Sequence, residues 1–129
     1  MANFFDLIGR IFISLVFLLS GYNKIFNYTD TVTWMEGFGI PGFLLWPAIV
    51  LEILLPILII IGYRTQISAI LLAMFCIVTA VIFHLDFANQ MQTIAFLKNF
   101  ALAGGFLFIA VNGPKEWSFD GKKKKYVRM

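Results

Sequence analysis

The chain has 129 residues, of which 60% are hydrophobic and only 13% are charged. A chain this short has too much surface to bury so much apolar side chain, which argues against a water-soluble globule and predicts a lipid bilayer as the solvent. The formal net charge is +3, and much of the excess lies in residues 122–128, so the basicity is local and nucleic acid is not expected as a partner.

Four apolar stretches predict four transmembrane helices, because each is close to the roughly 20 residues that cross a hydrocarbon core. They cover about residues 7–25, 43–63, 66–86 and 95–111. The first stretch is interpreted as a retained helix and not as a signal peptide, since it lacks a basic start and a small-residue cleavage pattern. Only helices can satisfy the backbone of isolated spans in lipid, so the predicted fold is an all-α, four-transmembrane-helix bundle forming one domain over residues 1–129.

The connection between the first two spans, residues 26–42, is the longest. Asp30 is expected to cap a short helix that carries Trp34, Met35 and Phe38, after which glycines and a proline turn the chain back. Such a helix would lie in the headgroup region, so we expect this outer loop to cover the outer face of the bundle.

The distribution of basic residues predicts the orientation. With four spans both termini share a side, which collects Arg10, Arg64 and the basic tail over residues 113–129, whereas Lys24 and Lys98 fall on the opposite side. The positive-inside rule therefore places both termini in the cytoplasm. The tail is expected to act as an anchor close to anionic lipid.

Helical spacing places particular residues on one face of each span, and we expect these faces to point inward. They consist of Arg10, Ser14, Phe17, Gly21 and Lys24 in the first span, Ala48, Glu52, Pro56, Ile59 and Tyr63 in the second, Ala69, Ala73, Cys76, Ala80 and His84 in the third, and Lys98, Ala101, Gly105, Phe108 and Asn112 in the fourth. Small residues at such steps let helix backbones approach closely in lipid.

Glu52 stands out because it lies well inside the second span, where an ionised carboxylate costs on the order of 3 kcal/mol. It therefore needs a proton or a partner. Because the spans alternate in direction, Lys24, His84 and Lys98 are expected at the same end of the bundle as Glu52. One interpretation is that Lys24 or Lys98 simply neutralises the glutamate; the other is a proton-handling site in which Glu52 and His84 move protons.

Several kinds of chemistry find no support in the sequence. Cys76 is the single cysteine, so no intramolecular disulfide or redox pair can form. One histidine, one cysteine and scattered carboxylates give no metal-ligand cluster. No flavin, haem or iron–sulfur motif is present, so the chain alone is not expected to complete a redox cycle. Arg10 is expected to snorkel to lipid phosphates near the cytoplasmic face.

A series of short motifs runs through nearly the whole chain. In order, they are Arg10, Ser20-Gly21-x-x-Lys24, Gly39-x-Pro41, Glu52, Gly62-x-x-Thr65, His84, Lys98-Asn99, Gly113-Pro114 and Ser118-x-Asp120. In this order and spacing they resemble the DoxX family of small four-helix membrane proteins. The chain lacks the cysteine pair of some more distant relatives that handle disulfides, which argues against thiol transfer.

The resemblance implies a bacterial inner-membrane subunit associated with oxidoreductase systems, some relatives being small subunits of thiosulfate:quinone oxidoreductases. Carried over by position, it implies a polar core of Arg10, Lys24, Glu52, His84, Lys98 and Asn99. The leading hypothesis is an accessory subunit of a quinone-linked oxidoreductase. In it, Glu52 and His84 transfer protons, while the other four residues bind the quinone head group.

This hypothesis calls for membrane lipids, redox partner subunits and another copy of the chain as partners, with no metal, haem or flavin in the chain itself. Two alternatives remain open. One is a small proton-coupled exporter that uses Glu52 and works as a dimer. The other is a structural or assembly protein, in which replacing Glu52 would lower abundance and nothing else.

Overall fold

The computed structural model describes residues 1–122, and within them every regular element is helical. In chain order the elements are α1 (Ala2–Phe26), α2 (Tyr28–Gly37), a single 3-10 turn (Gly42–Leu44), α3 (Leu45–Ile61), α4 (Thr65–Phe83) and α5 (Gln90–Asn112). Helices α1, α3 with its preceding turn, α4 and α5 are long and apolar enough to cross a membrane. The prediction of an all-α membrane protein with four spanning helices is confirmed.

The helix ends differ from the predicted ones where local hydrogen bonds decide them. Helix α5 starts five residues before the predicted position 95, because the side chain of Asn89 accepts the N–H of Met91 and so caps the helix. Helix α3 ends at Ile61, since Gly62 adopts a left-handed conformation with φ of 76°. Helix α4 ends at Phe83, three residues before the predicted end.

The predicted outer loop forms a helix that packs over one end of the bundle. The expectation that Asp30 caps this helix is wrong, because α2 begins at Tyr28 and Asp30 lies in its first turn. The face of α2 toward the bundle is apolar: Met35 is buried, and the Trp34 ring stacks on Phe83 with centroids 4.5 Å apart. The Phe38 ring meets Phe83 edge-on at 5.1 Å.

The helices pack as two pairs, α1 with α3 and α4 with α5, and contacts between α3 and α4 join the pairs. We call the end where α1 and α4 finish and α5 begins the cavity end, and the opposite end the Arg10 end. Between them lies a cluster of buried apolar residues, here named the apolar layer: Phe17, Ile59, Ala69, Leu72, Ala73, Cys76, Ala103 and Phe106.

The predicted inward faces hold for some helices and fail for α5. Arg10, Ser14, Phe17 and Gly21 are the buried residues of α1, as expected from their spacing. On α5 the predicted face is wrong: Phe108 is exposed, and the buried residues are Ala103 and Phe106, along with partly buried neighbours. Helix α5 is apolar on all sides over its second half, so its periodicity cannot identify the face that packs on α4.

The N-terminus and residues 113–122 meet at the Arg10 end, as an even number of spans requires. The N–H of Lys115 donates to Asp6 Oδ2 at 3.0 Å, and the N–H of Glu116 donates to Asn3 Oδ1 at 3.2 Å. Placement of this end in the cytoplasm stays a prediction. Residues 123–129 of the predicted basic tail lie outside the described residues.

Candidate functional site

A cavity of about 790 Å³ occupies the cavity end of the bundle and receives side chains from all five helices. Its polar lining residues are Ser20, Asn23, Lys24, Thr31, Glu52, Thr79, His84, Lys98 and Asn99. Apolar and aromatic side chains, among them Phe17, Trp34 and Phe83, form the rest of the wall. Five of the six residues that the sequence assigned to a polar core therefore line one cavity, and Arg10 does not.

The deepest polar feature of the cavity is an ion pair between α1 and α3. Lys24 Nζ lies 2.7 Å from both Glu52 Oε1 and Glu52 Oε2, and it also donates to Ser20 Oγ at 3.1 Å. The Ser20 hydroxyl in turn donates to Glu52 Oε1 at 3.2 Å. Glu52 is only 2% exposed. Since an ammonium group has three N–H donors, Lys24 has none left for a ligand, and its charge offsets that of the buried carboxylate.

Close approach of the two helices makes this pair possible. Gly21, between Ser20 and Lys24 on α1, faces α3 directly: a Cβ added there would lie 2.7 Å from Ile53 Cδ1 and 3.4 Å from Glu52 Cβ. A side chain at this position would push α1 away from α3 and lengthen the distance between Lys24 Nζ and the Glu52 carboxylate. The close packing of α1 on α3 thus explains why the Ser20-Gly21-x-x-Lys24 motif has a glycine at its second position.

His84 follows the last residue of α4 and lines the same cavity. Its Nδ1 lies 2.6 Å from Gln92 Oε1 on α5. An amide oxygen can only accept, so this bond places a ring N–H on Nδ1, and in that tautomer of the imidazole Nε2 is the acceptor. Gln92 was not among the predicted site residues, because nothing in the surrounding sequence distinguishes it before α4 and α5 are brought together.

Lys98 and Asn99 lie on the first half of α5 and complete the polar lining. The two ion pairs found in residues 1–122 are Arg10 with Asp6 and Lys24 with Glu52, so neither involves Lys98. The ammonium of Lys98 also makes no hydrogen bond to the described part of the chain. Its three donors are therefore free for a ligand, in contrast to those of Lys24.

Arg10 lies at the other end of the bundle, and its expected position at lipid phosphates is wrong. The residue is 1% exposed. Its Nη1 donates to the carbonyls of Ile59 at 2.9 Å and Ile60 at 2.7 Å, and its Nη2 donates to the carbonyl of Trp117 at 2.7 Å. Ile59 and Ile60 are in the last turn of α3, where carbonyls have no helical donor. Arg10 satisfies them, so its role here is to join α1, α3 and the C-terminal segment.

A second set of motif residues also meets at the Arg10 end, a grouping that the sequence did not predict. The carboxylate of Asp120 accepts the N–H of Arg64 at 3.2 Å and that of Thr65 at 2.8 Å, which caps the start of α4. The N–H of Asp120 donates to the Gly62 carbonyl at 2.8 Å. The sequence offered one signal: an acidic residue, Asp120, follows the last span, and the start of α4 has no capping side chain of its own.

In residues 1–122 no group of three or more His, Cys, Asp or Glu side chains is arranged to hold a metal ion. The Cys76 thiol is buried in the apolar layer. The polar chemistry that the described residues offer to a ligand is therefore concentrated in the cavity, where donors, acceptors and aromatic rings lie around an apolar space.

Fold and site together define an all-α membrane protein with a partly polar cavity at one end of four spanning helices. The family model described as DoxX matches residues 5–85, and the chain belongs to this family. It is similar to the inner membrane protein YqjF of Escherichia coli, strain K12, with 38% identity over 114 residues that cover 88% of each chain. It is also similar to the inner membrane protein YphA of the same strain, with 36% identity over 121 residues, 88% of this chain and 86% of the relative. No solved structure matches the chain significantly.

Proposed function

We propose that this protein is an inner-membrane subunit of a quinone-linked oxidoreductase system, in which the cavity holds a quinone head group and Glu52 and His84 exchange its protons. The observation that carries the proposal is the cavity itself, whose aromatic wall and polar lining match an amphipathic ring compound. The two relatives, both named as inner membrane proteins, support the location. The electrons would come from a partner subunit, because the chain carries no motif for a redox group of its own.

The size and apolar surroundings of the cavity fit a quinone ring with the first part of its tail. Its volume of about 790 Å³ lies within the range of roughly 300–1,000 Å³ that is usual for small-molecule sites. Trp34 is 44% exposed and lines the cavity while it stacks on Phe83. A flat ring can take the same stacked arrangement on an indole face.

The hydrogen-bonding groups also fit. Conversion of a quinone to a quinol takes up two electrons and two protons, and its two oxygens change from acceptors to donors. Lys98 and Asn99 can donate to the oxidised form. Two acceptors remain for the hydroxyls of the reduced form. One is His84 Nε2, and the other is Glu52 Oε2, which accepts one hydrogen bond from Lys24 and has capacity for another.

The apolar layer favours exchange at one end of the bundle over passage through it. None of its eight residues is more than 5% exposed, and it lies between the cavity and the Arg10 end. A proton-coupled exporter needs its carboxylate to become accessible from both sides in turn, whereas the Glu52 carboxylate is paired with Lys24 above this layer. The exporter hypothesis therefore has less support than one-sided proton exchange.

Binding can be measured on the purified full chain in lipid nanodiscs by titration with a short-tailed benzoquinone, followed by tryptophan fluorescence. We expect saturable quenching that is largely lost in Trp34→Phe, since Trp34 is the tryptophan that lines the cavity. His84→Gln should weaken binding about tenfold, as expected for the loss of one good hydrogen bond. Lys115→Gln, at the Arg10 end, is the control and should bind normally.

Unsaturable quenching, or quenching that Trp34→Phe leaves intact, would contradict the proposal. Proton-driven movement of a substrate in proteoliposomes would favour the exporter instead.

Partners can be sought by gentle solubilisation and mass spectrometry. A co-purified flavin, haem or iron–sulfur protein whose quinone reduction falls in the His84→Gln background is the result that the proposal expects.

A further inference from the structure

We infer that the cavity selects a head group with an ionised oxygen, such as a carboxylate or phenolate on an aromatic ring, and that Lys98 is the residue that makes this selection. The inference rests on the proposed function in one respect, since it takes the same cavity as the ligand site. It goes further by assigning the charge of the ligand and the side chain that reads it.

The charges that line the cavity do not cancel. Lys24 and Glu52 offset each other in a contact of 2.7 Å. The His84 imidazole, which bonds to Gln92, carries no negative charge in any form and so cannot offset a lysine. Lys98 then remains as a cation without a counter-ion among the described residues, and the cavity as a whole is positive. A neutral ligand would leave this charge unmatched, whereas an anionic ligand would balance it.

The other acidic residues in the segments that connect helices at this end do not supply the missing partner. Asp30 and Glu36 lie on α2 and Asp86 follows α4, and none of them makes an ion pair with Lys98. The neighbouring Asn99 adds a neutral amide that can donate to a second ligand oxygen. Together these two residues form a pair of donors on one helix. They differ from Ser20 and Lys24, whose donors are already used in hydrogen bonds within the protein.

The strength of the selection depends on solvent. Apolar walls reduce screening of the charge, which strengthens its attraction to an anion. Lys98 is itself exposed, however, so the gain should be close to that of a partly solvated ion pair, about fivefold in affinity. Such a preference is large enough to measure with ligands that differ only in charge.

The test uses three probes with the same ring and tail: para-octylbenzoate, para-octylbenzamide and para-octylbenzylamine. Each is titrated calorimetrically into the full-length protein in nanodiscs of zwitterionic lipid, and the signal of empty nanodiscs is subtracted. We expect the benzoate to bind about fivefold more tightly than the amide, and the amine to bind most weakly. Lys98→Gln should abolish the preference and retain amide binding, whereas Lys98→Arg should keep it. The control Lys115→Gln should behave as the unchanged protein.

Equal binding of the three probes would overturn the inference, and so would a benzoate preference that survives in Lys98→Gln. Failure of all three to bind would overturn it as well. The outcomes separate it from the proposed function: benzoquinone binding without any charge preference leaves the quinone proposal standing. A Lys98-dependent benzoate preference without quinone binding supports the inference and counts against the quinone.

Discussion

Lys24 on α1 holds both carboxylate oxygens of Glu52 on α3, each at 2.7 Å, inside the part of the bundle that lies in the membrane. The side chain of Glu52 is 3% exposed and that of Lys24 is 24% exposed, so the lysine is the more exposed partner. The pair explains how a carboxylate can lie between apolar helices, and it also joins α1 to α3 at the wall of the cavity.

Removal of the lysine alone should be more harmful than removal of the pair. Lys24→Met leaves a buried carboxylate without its counter-charge, and we expect it to lower the free energy of unfolding by about 2–3 kcal/mol. This is at the lower end of such effects because Lys24 is partly exposed. The double variant Lys24→Met with Glu52→Met should recover most of this loss. Thermal unfolding in a mild detergent measures both. A double variant that is no more stable than the single one would show that the pair has another structural role.

Replacement of Glu52 by its neutral amide separates structure from proton exchange. Glu52→Gln keeps the shape of the side chain and an oxygen that can accept from Ser20 or Lys24. We expect a folded protein with reduced or absent benzoquinone binding in the fluorescence titration. Ser20→Ala, which removes one neighbouring hydroxyl and no charge, is the matched control. Unchanged quinone binding in Glu52→Gln would contradict the role assigned to this carboxylate, and lower abundance as its single effect would favour the assembly hypothesis.

Replacement of Arg10, even by lysine, should lower the stability of the fold. Its guanidinium donates to three backbone carbonyls and to Asp6, a set that a single ammonium group cannot match in direction. Arg10→Lys should therefore lower the free energy of unfolding by about 2 kcal/mol. The control is Arg64→Lys, whose side chain is exposed and lies 6.0 Å over the Tyr63 ring. Its effect should stay within about 0.5 kcal/mol. Equal effects of the two substitutions in thermal unfolding would refute this account.

Two glycines with the same backbone conformation should respond differently to alanine. Gly39 and Gly62 have φ of 80° and 76°, but an added Cβ meets nothing within 4 Å at Gly39, whereas at Gly62 it clashes with the Cβ of Ser118. Gly39→Ala should cost about 1 kcal/mol of backbone strain. Gly62→Ala should cost clearly more, because it also displaces the segment that brings Asp120 to the start of α4. Thermal unfolding of the two variants compares them directly, and similar melting temperatures would show that the segment yields without cost.

The positions of the motif residues show how far sequence reasoning reached at each end of the bundle. At the cavity end it anticipated that Lys24, Glu52, His84, Lys98 and Asn99 would meet, because alternating spans bring their ends together. It could not decide whether Lys24 or Lys98 pairs with Glu52. At the Arg10 end it noted the individual motifs but not their grouping. Arg10 donates to backbone carbonyls that lie 49, 50 and 107 residues away, and no residue type in the sequence reveals such partners.

The sequence by itself determined the solvent, the number of spans and the end at which the polar residues gather, because these follow from apolar length and from the alternation of helix direction. It also identified the packed face of α1, where polar residues recur at helical spacing among apolar ones. The tertiary structure alone decided which face of α5 is buried, which lysine neutralises Glu52 and what Arg10 binds. The physical reason is that each of these depends on a contact between segments distant in the chain. In each contact one side is a backbone group, a small residue or one of two equivalent charges, and the sequence does not mark which one is used.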